Sequence, residues 1–345
     1  METVVDKPDI TGGDNMKSSK TAGLGWMTKA SIALGCVLAL PAHAQAPFPS
    51  KPITLIVSYP TGGVADLAAR TVAQQLTTAL GQTVVVENRP GGNQIIATSA
   101  ALRAPADGYT LLVADDGIVT LNPHLFKKLP YKAADLRPVV DLAESRIVLS
   151  ASKGLPADTL RGMVDYARAH PGKLNYGTLG IGNTHHLLLE SIKQQARVDI
   201  VNVPYQGYAA AINDLVANQV QLVSGGVGSP ALGHIKTGAI KALAVTGATR
   251  IPLLPDTPTF AEAGFAELQP RVSFIVFAPS SVPDWIVDTL NEAFAKALAH
   301  PQAASVFTQN GLDPQGRKAD AVKADLSATS RKNEALVRTV GLTLD

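Results

Sequence analysis

The sequence contains almost no cysteine. Of its 345 residues one is a cysteine, Cys36, and it lies in an N-terminal segment that we expect to be removed. A chain without Cys36 forms no disulfide and has neither a thiol nucleophile nor a cysteine-ligated metal. Cysteine-based catalysis and cysteine-held metal sites are therefore excluded for the processed chain.

An excess of charge of one sign is also missing. The formal net charge is +2, with 30 basic and 28 acidic side chains, so we expect no basic surface that would bind nucleic acid or anionic lipid. A composition of 46% hydrophobic, 17% charged and 5% aromatic residues is typical of a soluble globular protein. The length is sufficient for two domains, each with its own core.

The motifs of common enzyme classes are absent too. The sequence has no G-x-S-x-G nucleophile elbow, no P-loop and no G-x-G-x-x-G after its first predicted strand. His186 and Glu190 are four residues apart on a predicted helix, but a metal site needs three or four ligands, and H-E-x-x-H is absent. We therefore predict a binding protein with no cofactor, no metal and no catalytic residue. An enzyme on the same architecture is the alternative.

The N-terminus has the layout of a Sec-type signal peptide. Residues 16–29 carry three lysines and no acid, and an apolar run of 11 residues, Ala30–Leu40, follows. This run is too short to span a bilayer, and Ala42-His43-Ala44 fits a cleavage site. We predict a signal peptide at residues 1–44, cleavage after Ala44, a true start at Met16 and a periplasmic, soluble product. A lipoprotein processed at Cys36 is the weaker alternative, because that residue lies inside the apolar run.

From Lys51 onward, short apolar runs alternate with segments of helical spacing. The predicted strands are Ile53–Val57, Thr83–Glu87, Tyr109–Ala114, Ile147–Ala151, Leu174–Tyr176, Ile200–Val203, Val220–Val223, Lys241–Val245 and Phe274–Ala278. The predicted helices are Val64–Leu80, Gln94–Arg103, Thr159–His170, Thr184–Gln195, Tyr208–Asn218, Ala231–Thr237, Pro283–Ala299 and Ala319–Val340. The alternation favours an α/β fold with parallel sheets of β-α-β units. No single linker divides the chain, which favours one domain inserted in another, and Trp285 is predicted to lie in the core.

Two glycines stand where the first predicted strand becomes a helix. Gly62 and Gly63 follow Ile53–Val57 and precede apolar residues at helical spacing. At such a junction backbone N–H groups point outward at the positive end of the helix dipole, which suits a carboxylate or another small anion. Asp66 in the first turn favours the helix but would repel an anion placed close to it.

A second loop, at residues 178–185, repeats this chemistry with Gly180 and Gly182 before another predicted helix. His185 at the helix start is placed to donate to a bound carboxylate. Either loop alone is as compatible with a structural role as with binding, because glycine-rich connections are common in α/β proteins. Two such loops predict a cleft between facing helix ends, where ligands bind in open α/β sheets.

Two further positions leave alternatives open. Asp115 and Asp116 end the third predicted strand and are expected near the cleft. Adjacent strand residues point apart, so we do not expect them to act as a catalytic pair. Arg89 is placed either to bind a carboxylate or to pair with Glu87, and we favour the structural pairing.

Several segments, in this order and spacing, carry a family resemblance. They are Pro52-Ile53-Thr54-Leu55-Ile56-Val57, Gly62-Gly63 with Asp66, Val84-Val85-Val86-Glu87-Asn88-Arg89-Pro90-Gly91, Ala106-Asp107-Gly108-Tyr109, Pro171-Gly172-Lys173-Leu174-Asn175-Tyr176, Gly182 with His185-His186-Leu187, Val203-Pro204-Tyr205 and Leu254-Pro255-Asp256-Thr257-Pro258-Thr259. From about Phe48 to Asp345 the chain resembles the solute receptors of tripartite tricarboxylate transporters, the Bug-type periplasmic binding proteins.

The resemblance implies a type II periplasmic-binding-protein fold, in which two α/β domains joined by crossing strands close on a ligand like a Venus flytrap. We place one domain at residues 48–147 plus 271–345 and the other at 148–270. The ligand would be a small organic carboxylate, passed by a monomeric receptor to the membrane permease of the transporter. Carried over by position, the ligand-binding residues are Tyr59, Thr61, Gly62, Gly63 and Asp66 in the first loop and Thr178, Gly180, Asn183, Thr184 and His185 in the second.

The sequence departs from the family pattern at three places. Asp115-Asp116 stand where the family usually has Gly, Ser, Thr or Asn, Ser224 stands where it often has Asp, and Gln206 replaces a lysine. We add Asp115, Asp116 and Ser224 to the ligand-binding candidates. Because two acids would disfavour a tricarboxylate, we hypothesise a monocarboxylate or a ligand with a polar or cationic end. A diverged receptor that serves sensing instead of uptake is the alternative function.

Overall fold

A computed structural model describes residues 48–345, apart from Gln206 and Ser229. The predicted signal peptide and the departure at Gln206 lie outside the described residues. Residues Phe48–Asp345 group into one unit of dense internal contacts. The described part of the chain forms eleven strands and eleven α-helices, whose alternation agrees with the predicted α/β class.

The strands are short, as expected for runs of β-branched and aliphatic residues bounded by turn residues. In chain order they are β1 (Ile53–Val57), β2 (Val84–Asn88), β3 (Thr110–Asp115), β4 (Leu136–Ser145), β5 (Ile147–Ser152), β6 (Leu174–Thr178), β7 (Ile200–Pro204), β8 (Leu222–Gly226), β9 (Ile240–Val245), β10 (Val272–Pro279) and β11 (Leu312–Pro314).

The helices lie mainly between the strands. They are α1 (Val64–Leu80), α2 (Ile95–Arg103), α3 (Gly117–Thr120), α4 (Asn122–Leu125), α5 (Leu160–Ala169), α6 (Thr184–Ala196), α7 (Tyr208–Val216), α8 (Ala231–Lys236), α9 (Asp284–Ala299), α10 (Pro301–Gln309) and α11 (Ala319–Val340). Across the described residues, no helix combines the length and the apolarity that a membrane span requires.

The first sheet has the strand order β11-β4-β10-β3-β1-β2. Its β2, β1 and β3 are parallel, and β10, β4 and β11 complete it in antiparallel pairs. Helices α1 and α2 connect the parallel strands as β-α-β crossovers. The carboxyl ends of β1, β2 and β3 therefore meet at one edge of the sheet, where the first glycine loop begins.

The second sheet has the order β7-β6-β8-β5-β9. Here β7, β6 and β8 are parallel, whereas β5 runs antiparallel to β8 and β9. The loop at residues 178–183 leaves the carboxyl end of β6 and leads into α6. Each sheet thus presents one glycine loop at the carboxyl edge of its parallel strands.

The chain crosses between the sheets twice. Strand β4 leads through Arg146 directly into β5, and residues 246–271 lead from β9 back to β10. Ile147 N–H donates to Thr246 Oγ1 at 2.9 Å, Thr246 N–H donates to Ile147 O at 2.9 Å, and Arg146 Nε donates to Thr246 O at 2.7 Å. The two crossings are therefore bonded side by side. The domain boundaries at 147/148 and 270/271 stay a prediction.

Every predicted strand and helix is present, with ends that differ by at most three residues. Strand β4 was not predicted, because Arg137, Pro138, Asp141 and Glu144 interrupt its apolar pattern. Its position between β10 and β11 buries Pro138 and Asp141, whereas Arg137 and Glu144 stay partly exposed. The prediction for Trp285 is wrong: this residue is 41% exposed, and its ring packs edge-on against Phe48, with ring centroids 5.9 Å apart.

Candidate functional site

The first loop exposes a helix N-terminus. Thr61, Gly62 and Gly63 are exposed, and α1 begins after Gly63 without a side chain that accepts from its first-turn N–H groups. Gly62 has φ +87°, a conformation that glycine adopts readily and other residues avoid, and no atom lies within 4 Å of the place where a side chain would begin. The loop therefore leaves uncapped N–H groups beside open space.

Asp66 supports this loop from inside. Its side chain is 3% exposed and accepts from Gly62 N–H at 2.9 Å, Asn88 Nδ2 at 2.9 Å and Arg70 Nε at 3.0 Å. Burial alone would raise the pKa of Asp66, but the hydrogen bonds from Arg70, Gly62 and Asn88 outweigh it and lower that pKa. The carboxylate that seemed to oppose an anion is already satisfied by protein donors, so its charge is largely compensated.

The second loop is capped by its own side chain. Asn183 accepts from His186 N–H at 3.0 Å, and its Nδ2 donates to Leu179 O at 2.9 Å and to Gly180 O at 3.1 Å. Thr178 is buried and donates to Asn202 Oδ1 at 2.8 Å. These two predicted ligand residues thus use their polar atoms within the second half of the molecule.

His185 and Ser224, predicted from different elements, lie together. Nδ1 of His185 at the start of α6 is 3.2 Å from Ser224 Oγ in the middle of β8. Burial lowers the pKa of His185 to about 4, so its imidazole is neutral near pH 7. A neutral imidazole offers one donor and one acceptor. Thr184, also in the first turn of α6, is partly exposed.

Asp115 and Asp116 are both buried but have separate partners. Asp115 accepts from the Tyr59 hydroxyl and, at 2.8 Å, from Gly117 N–H, whereas Asp116 accepts from Ser273 N–H at 3.2 Å. Burial raises the pKa of Asp115. Burial and then the neighbouring Asp115 raise the pKa of Asp116 to about 8. Near pH 7 the pair therefore carries less than its formal charge of two.

The same surroundings act on Tyr59. Burial and then the negative Asp115 raise the pKa of the Tyr59 hydroxyl well above its usual value, so it stays protonated and acts as a donor. Its ring packs edge-on against Phe274, with centroids 5.9 Å apart. The first loop, β3 and β10 are thereby joined at one point.

A third loop, between β2 and α2, was missed in the sequence. Asn93 Nδ2 donates to Ile181 O at 2.8 Å, which links it directly to the second glycine loop. Gln94 Oε1 accepts from Ser58 Oγ at 2.7 Å and from Asp115 N–H at 3.1 Å. The available signal was Gly91-Gly92-Asn93 after a strand, since Asn tolerates positive φ. Nearby Arg89 pairs with Glu87 at 2.7 Å, in agreement with its structural interpretation.

The second glycine loop packs against the third loop and against the first half of the molecule. A side chain built on Gly180 would begin 3.8 Å from Asn93 Oδ1, and one built on Gly182 would begin 2.9 Å from Leu344 Cδ1 and 3.0 Å from Leu125 Cδ1. Two surface hollows, of about 300 Å³ beside Pro279 and about 240 Å³ beside Lys193, are lined by other residues. The candidate site therefore rests on its donors, not on cavity size.

No group of three His, Cys, Asp or Glu side chains in the described part of the chain is arranged to hold a metal ion. The donors gathered here are backbone N–H groups, hydroxyls, amides and an imidazole. Such groups bind an anionic or polar organic molecule by hydrogen bonds.

Comparison with known proteins decides the family. The model of the tripartite tricarboxylate transporter family receptor matches residues 68–342. The chain belongs to this family. Protein BugT of Bordetella pertussis is 32% identical to this receptor over 310 residues, which cover 89% of this chain and 94% of BugT.

Two solved structures share the fold of this receptor. A protein of R. palustris, solved with adipate, has 33% identity and a TM-score of 0.81, with 86% of this chain and 99% of that one covered. MatC from Rhodopseudomonas palustris, solved with malate, has 28% identity and a TM-score of 0.78, with 84% and 100% covered. The family and the two-domain periplasmic-binding-protein fold predicted from the sequence are therefore confirmed.

Proposed function

We propose that this receptor captures a small organic carboxylate between its two domains and delivers it to the membrane permease of a tripartite tricarboxylate transporter. The observation that carries the proposal is the exposed, uncapped N-terminus of α1 at Gly62-Gly63, and we propose that the second loop at Gly180–His185 faces it. Helix N-termini bind anions through free N–H groups and the helix dipole. The adipate and malate in two related structures support the same ligand class.

The candidate residues divide by their contacts. Thr61, Gly62 and Gly63 are exposed. Thr61 and the Gly63 N–H are proposed to bind one carboxylate, and Gly62, whose own N–H donates to Asp66, is proposed to leave room for it. Gly180 and Thr184 are proposed to approach it from the other side. Asp66, Thr178 and Asn183 form a second group. The polar atoms of these three side chains already bond within the protein, so we propose that they position the ligand-binding residues. His185 with Ser224, and Tyr59 with Asp115 and Asp116, are proposed to line the space between the loops.

The acid pair restricts the ligand less than its formal charge suggests. Both oxygens of Asp115 accept from protein donors, and the raised pKa of Asp116, about 8, leaves it mostly protonated near pH 7. Repulsion of a second ligand carboxylate is therefore weak. We accordingly propose a ligand with one or two carboxylates. The charge that remains on the pair still opposes a third carboxylate, so we retain the expectation that a tricarboxylate binds poorly.

Many contacts must combine to give useful affinity. An exposed helix-end interaction contributes about 0.3–1 kcal/mol, and micromolar binding needs about −8 kcal/mol. Closure of the two domains supplies the difference, because it removes water from the ligand and adds donors from the second loop. The periplasmic location and the monomeric state belong to the same proposal.

A thermal-shift screen of mono-, di- and tricarboxylates on the protein lacking residues 1–44 tests the ligand class. Ligands that bind the folded state raise its melting temperature by mass action, and we expect this for mono- or dicarboxylates, with calorimetry to confirm affinity. A screen in which no carboxylate binds would overturn the proposal. Uptake of the labelled ligand by cells with and without the receptor gene tests delivery to the permease, and equal uptake would contradict it.

A further inference from the structure

Gln94 occupies an unusual backbone position beside the proposed site. It follows Asn93 and precedes α2. Gln94 has φ +69°, and Asn93 has φ +47°. Positive φ is unfavourable for residues with a side chain, and two such residues in a row are a strained arrangement. Glycine would adopt it more readily, as Gly91 and Gly92 do just before. The site therefore retains a glutamine where backbone geometry favours glycine.

The contacts of Gln94 fix the orientation of its amide. Asp115 N–H can only donate, and it lies 3.1 Å from the Gln94 side chain, so the atom facing it is Oε1. Ser58 Oγ, 2.7 Å away, donates to the same oxygen. The Nε2 group must then point away from Ser58 and the Asp115 backbone. Among the described residues it has no hydrogen-bond partner.

The groups next to Gln94 that can be described are bonded to other partners. Asp115, whose N–H bonds to Gln94, already accepts on one carboxylate oxygen from the Tyr59 hydroxyl and on the other from Gly117 N–H. The preceding residue, Asn93, reaches across to Ile181 O of the second loop. The free amide is therefore held where the first half of the molecule meets the second, beside the carboxyl ends of β1 and β3.

We propose that Gln94 is a ligand-binding residue whose Nε2 donates a hydrogen bond to a carboxylate oxygen of the bound solute. The inference rests on the proposed function, since it names a further donor in the same site. Its donor lies on the third loop, so the ligand is held from three loops of the protein. The Oε1 contacts orient the amide before the ligand arrives, which reduces the entropy lost on binding.

The test compares three variants for binding of the tightest ligand among adipate, malate and citrate. Gln94→Glu keeps an oxygen for Ser58 and Asp115 N–H but replaces the donor with an acceptor. Gln94→Leu removes both without adding charge. Ser58→Ala, the control, removes one Oε1 contact and leaves the donor in place. We expect both Gln94 variants to weaken binding about 10- to 100-fold and Ser58→Ala to weaken it less than about threefold.

A measurement on the unaltered protein guards against misfolded variants. The side-chain ¹⁵NH₂ signals of Gln94 are expected to shift when the ligand is added, because Nε2 gains an acceptor. Unchanged signals, or affinities of both Gln94 variants within about threefold of the unaltered protein, would overturn the inference alone. If the unaltered protein binds no carboxylate in the wider screen, the proposed function falls and this inference falls with it.

Discussion

The glycine loops before α1 and α6 look alike in sequence but are stabilised in different ways. The first loop is held from below by Asp66, which bonds to Gly62 N–H, and leaves the first turn of α1 without a cap. The second loop is closed by Asn183, which caps α6 and also binds Leu179 O and Gly180 O. On this basis we propose that the first loop mainly binds the anion and that the second mainly fixes the shape of the site.

The largest effect is expected at Gly62. Gly62→Val forces a branched side chain into positive φ at the exposed end of α1, so it distorts the uncapped N–H groups, and we expect affinity to fall about 100-fold. Gly81→Val is a matched control, because Gly81 has φ +63° and open space at the other end of the same helix. Calorimetry compares the two. Equal affinities for these variants would remove the special role of the first loop.

A smaller loss is expected when the support of that loop is weakened. Asp66→Asn removes the charge that holds Arg70 and puts an amide donor among donors, so we expect affinity to fall about tenfold. Asp107→Asn is the control, since Asp107 pairs with Lys51 at 2.9 Å near the start of β3, away from the loop. If both variants bind alike, Asp66 serves only the general stability of the fold.

Removing the Asn183 cap of the second loop is expected to lower stability more than binding. Asn183→Ala should lower the free energy of unfolding by about 1 kcal/mol and weaken binding only about threefold. Thr159→Ala provides the comparison, because Thr159 caps α5 by accepting from Gly162 N–H at 3.0 Å. Chemical denaturation measures the free energy of unfolding of both variants. A loss of binding as large as that of Gly62→Val would make the two loops equivalent.

The last expected effect, on stability and not on affinity, is a pH dependence from Asp116. Its pKa is raised by burial and by Asp115 to about 8, so the folded state binds a proton that the unfolded state has released between about pH 4 and 8. Stability from this group is complete below that window and declines as pH rises through it. The free energy of unfolding, measured by chemical denaturation at several pH values from 5 to 9, should therefore fall more steeply with pH for the unaltered protein than for Asp116→Asn. Parallel curves would show that Asp116 does not titrate in this range.

Local patterns made much of the fold predictable. Apolar runs and helical spacing located β1, α1, β6 and α6, and paired glycines marked both loops. Strand β4 was not predictable in this way, because Asp141 and Arg317 bond across the fold and only tertiary structure satisfies these charges. Residues whose role depends on such distant contacts leave little local signal.

The candidate site was likewise predictable only where a residue's role is local. Glycines and first-turn residues were found because their role is local. The inward roles of Asp66 and Asn183 depend on partners such as Asn88 and Leu179, which only the folded chain brings together. Gln94 was missed because nothing in its neighbours along the chain indicates that Asp115 N–H and Ser58 would orient its amide.

The contact of Leu344 with the second loop has a practical consequence. Leu344 N–H donates to Leu125 O at 2.7 Å, its carbonyl accepts from Lys127 N–H at 3.1 Å, and its side chain lies over Gly182. The neighbouring Asp345 side chain is 95% exposed. An environment-sensitive dye attached to residue 345 would lie close to the contact between Leu344 and the second loop. If the two halves close on the ligand as proposed, the fluorescence of the dye would change. The receptor thus offers a labelling position for a fluorescent metabolite sensor.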